Sequence, residues 1–168
     1  MTSPASDGIE VRRVTADEWM LWRAARLEAL RESPAAFGSQ LTDWIEAPES
    51  RWRERLSVPG AHDLLAIDGE HVVGMITGMP VADDPSRIEL ISMWVAPSAR
   101  GTGLAADLID RIVDWATEAG ASVLDLSVMP DNPSAHRAYE RAGFAPFDEP
   151  GDLLPDGRRE IRMRRTLR

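Results

Sequence analysis

Residues 88–129 constrain the fold of this chain more than any other stretch. Ile88 to Val95 reads as a strand, Thr102 to Ala119 as a helix and Val123 to Met129 as a second strand. Leu104, Leu108, Ile112 and Trp115 form the helix's apolar stripe, and Gly120 is placed to end it. A helical crossover of this length joins strands that lie parallel, so part of the sheet is expected to be parallel.

The flanking segments supply more strands and helices. Ile9 to Val14 alternates apolar and polar residues as a short strand does, after a polar start expected to be disordered through Gly8. Thr15-Ala-Asp-Glu18 offers a capping box to a helix over 16–32, with Met20, Ala24, Leu27 and Leu30 on its apolar face. Ser33-Pro34 ends that helix. Pro34, Gly38 and Pro48 make residues 33–50 a loop or broken helix, and a helix restarts over 48–56. Phe37, Trp44 and Trp52 are expected to pack in the core or a lid. Asp68-Gly69 between two apolar runs predicts a β-hairpin, and residues 80–86 read as a loop. Pro133 to Ala142 reads as a helix capped by Asn132 and ended by Gly143, with strands over 144–147 and 159–165 closing the chain.

The 168 residues suit one domain over residues 9–168. There is no cysteine, which removes disulfides, thiolate metal sites and a thiol nucleophile. His62, His71 and His136 stand apart in sequence without ligand spacing, so no metal is expected. No apolar run approaches the ~20 residues that span a bilayer, so a cytoplasmic protein without a membrane partner is expected. A formal net charge of −9 opposes binding to nucleic acid and mildly favours cationic partners.

The turn after Val95 is where chemistry enters. Gly101 and Gly103 remove side chains where a ligand would approach the backbone, and the following helix aims its unpaired amides there. With Arg100 and the helix dipole, the turn suits a diphosphate, although an ordinary tight turn has the same look. It is neither a P-loop, lacking Gly-x-x-x-x-Gly-Lys-Ser/Thr, nor a Rossmann turn, lacking Gly-x-Gly-x-x-Gly.

Arg100-x-x-Gly103-x-Ala105 resembles the Gln/Arg-x-x-Gly-x-Gly/Ala signature of the GNAT superfamily of N-acetyltransferases. Downstream, Leu126-Ser-Val128, Asn132-Pro-Ser-Ala135 and Tyr139-Glu-Arg-Ala-Gly143-Phe144 are similar to that family's second strand, asparagine helix and Tyr-x-x-x-Gly-Phe ending. The resemblance implies an α/β (α+β) fold: a mixed sheet of about seven strands with a splayed parallel pair, flanked by about four helices. It implies acetyl-CoA as co-substrate, with no metal. Met93, Trp94 and Val95 then map to pantetheine, Arg100, Gly101, Thr102, Gly103, Leu104, Ala105 and Ala106 to the pyrophosphate, and Asn132, Ala135 and Tyr139 to the same ligand.

By the same resemblance the amine attacks the thioester directly, so positioning and carbonyl polarisation carry most of the gain. Tyr139, the only tyrosine, maps to the acid that protonates the departing thiolate. An ammonium needs a base before it can attack, and Glu89 is the candidate. Ribosomal-protein N-terminal acetyltransferases of the superfamily carry a glutamate five residues before the asparagine, where this chain has Ser127. That departure turns the expected acceptor from a peptide N-terminus towards a small-molecule amine: a polyamine, an amino acid derivative or an amine antibiotic. Residues 33–44 and the loop 148–156, with its four acids, are expected to set specificity. Two other readings are protein lysine or N-terminal acetylation, and a non-catalytic acyl-CoA sensor, which retention of Tyr139 opposes. A homodimer is common in this family. Nucleophilic acyl transfer lacks both a cysteine and a Gly-x-Ser-x-Gly elbow.

Overall fold

The computed structural model describes residues 8–36 and 40–167. The disordered start expected over residues 1–7, and the expectations for Phe37 and Gly38, lie outside the described residues. The strands are β1 (Ile9–Arg13), β2 (His62–Asp68), β3 (His71–Val81), β4 (Asp84–Val95), β5 (Val123–Val128), β6 (Ala145–Pro146) and β7 (Ile161–Thr166). They form one sheet in the order β1-β2-β3-β4-β5-β7-β6. Five α-helices accompany them among the described residues: α1 (Trp19–Glu32), α2 (Leu41–Trp44), α3 (Glu49–Arg55), α4 (Leu104–Glu118) and α5 (Pro133–Arg141).

Among the described residues only β4 and β5 run parallel, as the crossover through α4 requires. Their ladder pairs Arg87, Ile88 and Glu89 with Val123, Leu124 and Asp125 and goes no further. Beyond Glu89 the two strands splay. On the other side of β4 the antiparallel ladder with β3 shifts register where Ser92 and Met93 stand opposite Ile76 alone. Ser92 has φ +55°, the only described non-glycine residue with a positive φ. The bulge bends β4 away from β5 where the gap opens.

Several local expectations are corrected. The Thr15 capping box does not form: residues 16–18 make a 3-10 turn, and the Glu18 carboxylate takes a hydrogen bond from Arg12 instead. The core face of α1 is Trp22, Ala25, Leu27, Ala29 and Leu30; Met20 is 69% exposed and Ala24 is exposed. Burial of the indole rotates the helix away from the expected stripe. Residues 80–86 are not a loop, because β3 and β4 continue until Val81 pairs with Asp84.

α4 lies on the sheet with Leu104, Leu108 and Ile112 fully buried. Its Trp115 covers Gly78 of β3 and stacks on His62 at 4.7 Å between centroids. A Cβ at Gly78 would fall 2.4 Å from the Trp115 ring, which explains the missing side chain. Gly78→Ala is therefore expected to destabilise the protein by about 1–3 kcal/mol through overpacking. A lower urea midpoint at unchanged slope is the expected observation.

Candidate active site

The splay leaves β4 without a strand partner on its β5 side from Leu90 to Val95. Main-chain groups there, apart from the Val95 carbonyl that accepts from Arg100 Nε, are open to pair with an extended, amide-bearing ligand arm. The chain then turns at Pro97–Ala99 and enters α4 through Gly101 (φ +78°) and Gly103 (φ +88°). Both conformations belong to the left-handed region that favours glycine. Gly103 caps α4 without a side-chain acceptor, so the first amides of the helix remain open to an anion. These features fit an acyl-CoA: a backbone edge for pantetheine and a bare helix start for the diphosphate.

The structure also divides the residues expected to hold the ligand. Trp94 and Leu104 are buried in the core, so only their backbones can reach it. The Trp94 indole donates to Glu32 at 3.0 Å, and the same carboxylate receives Arg100, whose Nε also donates to the Val95 carbonyl at 3.0 Å. Met93 lines the cavity described below, while Thr102, Ala105 and Ala106 lie around the start of α4. Asn132 caps α5, its Oδ1 accepting from the Ala135 amide at 3.2 Å. It follows β5 as the Gly101–Gly103 turn follows β4, so both stand past the carboxyl ends of the parallel pair.

A cavity of about 380 Å³ opens from the splay. Its walls include Glu89 to Met93 of β4, Ser127 of β5 and Tyr139 of α5, and it extends to Trp22, Trp44 and Trp52 below α1–α3. Tyr139 lies edge-on to Phe144 at 5.9 Å, and burial pushes its phenol above the ordinary range. The hydroxyl thus keeps its proton throughout neutral pH.

Glu89 reaches the same cavity, but Arg162 of β7 grips both its oxygens, with Nη1 donating to Oε2 at 3.0 Å and Nη2 to Oε1. Arg162 also donates to Ser127 Oγ at 2.9 Å. One face of β4, β5 and β7 is in fact a charge lattice. At its centre is Asp125, wholly buried, which accepts from Arg87 and, through both oxygens, from Arg164. Such a buried carboxylate is tolerable only because its oxygens are paired.

Sequence reasoning missed Glu160. It enters the cavity beside Asp152, and burial, then the charge of Asp152, raise its carboxyl above the usual range, with Arg162 opposing and Glu89 adding to the rise. Its amide donates to the Asp152 carbonyl at 3.0 Å, and Gly151 lies against the Glu160 backbone so closely that a Cβ would be 2.1 Å from its carbonyl oxygen. The loop 148–156 is therefore less acidic towards the site than expected. Glu149 is paired with Arg87 and Arg162, and Asp156 with Arg158; Asp152 is the loop acid that lines the cavity. The only signal for Glu160 was its place at the head of an alternating strand.

Comparison with known proteins decides the family. The model of the Acetyltransferase (GNAT) family matches residues 22–144. The chain belongs to the GNAT family. An uncharacterized N-acetyltransferase of Mycobacterium tuberculosis (strain H37Rv) is 30% identical over 123 residues, 72% of this chain and 78% of the relative. The L-2,4-diaminobutyric acid acetyltransferase of Streptomyces coelicolor is 30% identical over 141 residues, 83% of this chain and 75% of the relative. Among solved structures, a putative acetyltransferase of Salmonella typhimurium with its cofactor acetyl-CoA superposes with a TM-score of 0.74. That match has 19% identity and covers 95% of this chain and 94% of that one. This GNAT protein is thus an acetyl-CoA-dependent N-acetyltransferase with the seven-stranded sheet and parallel pair its sequence implied. Among its described residues no group of acids and histidines forms a metal site, and no helix is long and apolar enough to cross a membrane.

Proposed function

We propose that this enzyme acetylates a primary amine of a small molecule held in the cavity below the splayed strands. The observation that carries the reading is that Tyr139, Glu160 and the open edge of β4 face one cavity. The naming of a relative for acetylation of a diamino acid supports a small acceptor, as does Ser127, whose hydroxyl is bound to Arg162 where peptide N-terminal acetyltransferases have a base.

Acetyl-CoA supplies an activated acyl carbon. Residues Met93 to Val95 and Arg100 to Ala106, with Asn132, Ala135 and Tyr139, are the residues proposed to hold it. Glu160 takes the proton from the incoming ammonium, because its raised pKa, despite the nearby Arg162 charge, and the absence among the described residues of a guanidinium bonded to it leave it the better base. Glu89 contributes as the ion-pair partner that fixes Arg162 at the mouth of the same space. As the amine nitrogen bonds to the acyl carbon and the carbon–sulfur bond breaks, the Tyr139 hydroxyl donates to the departing sulfur. The nitrogen loses its second proton on becoming an amide, which restores the one that the Tyr139 hydroxyl passes to the sulfur, so the balance is one amide, one thiol and one proton carried off through Glu160.

Calorimetry with CoA, combined with thiol release over a panel of amines, tests this. Wild-type enzyme is expected to bind CoA and to release thiol only when an amine is present. Gly101→Ala has room for its methyl group but must hold φ +78°. It is expected to weaken CoA about tenfold, at a cost in stability of about 1 kcal/mol. Absence of CoA binding by the wild type would overturn the reading.

A further inference from the structure

Part of the cavity wall is built from cations. Arg26 of α1 and Arg55 of α3 both line it, with Trp22, Trp44 and Trp52 around them. Arg55 is fixed in place: Nη1 donates to Asp63 Oδ1 at 3.0 Å, Nη2 to Thr77 Oγ1 at 3.0 Å, and Thr77 in turn donates to Asp63 at 2.6 Å. Asp63 and Thr77 are buried in β2 and β3, and Arg55 lies 5.1 Å from the Trp22 ring. The guanidinium is therefore aimed by the sheet and not left to sample solvent. Arg26 is depressed to about 10, first by burial and then by the charge of Arg55. Asp63 offsets part of this positive charge, and the remainder favours an incoming anion.

Guanidinium forks of this kind form a receptor for a planar anion, and the acids Glu160 and Asp152 line the same cavity.

Building on the reading that this cavity takes the acceptor, we propose that the acceptor carries a carboxylate as well as its amine. The carboxylate docks on Arg26 and Arg55, while the amine lies towards Glu160 and Asp152. The substrate class is a small amino acid with a free amine at a fixed distance from its carboxyl group. A polyamine fits this cavity poorly, because its second ammonium meets two guanidiniums.

The test compares matched pairs that differ only in the carboxylate: ornithine against putrescine and lysine against cadaverine, each with acetyl-CoA and thiol release as readout. For at least one pair, kcat/KM is expected to be about tenfold or more higher for the amino acid. In Arg26→Met that ratio is expected to fall towards one, and Arg26→Lys, keeping charge without the fork, to lie between. Quenching of tryptophan fluorescence in the CoA-loaded enzyme is expected on adding the amino acid and to be lost in Arg26→Met. Equal or better turnover of both diamines by the wild type would overturn the inference while leaving amine acetylation intact. Failure of every amine despite CoA binding would instead overturn the function proposed above.

Discussion

Replacing Glu160 by Gln is expected to lower kcat by about 10²–10⁴-fold, the range of a lost general base. The wild-type kcat/KM profile should have its acid limb above the usual carboxylate range, since burial, Asp152 and Glu89 all raise Glu160. In Asp152→Asn one of those charges is gone, and the limb should move to lower pH. Stability carries an independent signature. A carboxyl whose folded pKa lies above its unfolded value opposes folding once it ionises. That penalty is absent below the unfolded pKa, grows as pH rises through the window between the two values and is complete above the folded one. Glu160→Gln should thus melt higher than wild type at neutral pH and no higher in acid. Retained turnover in Glu160→Gln with an unmoved acid limb would eliminate Glu160 as the base.

Tyr139→Phe is the second large effect, an expected fall of about 10²–10³-fold in kcat with little change in the affinity for CoA. The ring stays edge-on to Phe144, so the fold should be unaffected. Burial raises the phenol, which makes complete proton transfer to a thiolate uphill and leaves the O–H hydrogen bond as the main stabilisation of the leaving sulfur. The defect should therefore shrink with an acyl donor whose thiol is more acidic, because such a sulfur needs less help. An equal defect with good and poor leaving groups would refute a role at the sulfur.

How far the sequence reached depends on the range over which each feature is determined. The turn at Gly101 and Gly103, the cap at Asn132 and the helix end at Gly143 are local conformational demands, and the residues announce them. The face of α1 was misread because helical spacing alone does not say which large side chain the sheet will bury, and Trp22 outweighed Met20. The β3–β4 hairpin was hidden because Pro80 and the Asp-Asp-Pro sequence look like loop residues, although Pro80 pairs with Ile88 in the ladder. The charged part of the site was least legible. Arg162 meets Glu89 across 73 positions of sequence, and Arg26, Arg55 and Glu160 each look like solvated residues until the fold closes around them.

The three-pair ladder between β4 and β5 has one more consequence. It joins four strands on one side to three on the other, reinforced across the gap by Arg87 on Asp125 and Arg162 on Glu89. The molecule resembles two half-shells closed by a short zip and a few rivets, and the proposed co-substrate site lies where the zip stops. A ligand that takes up the open edge of β4 adds length to that seam. Cohesion of the shell and occupation of the proposed donor site would then be the same event, and the enzyme is expected to be at its most rigid when it is loaded to react.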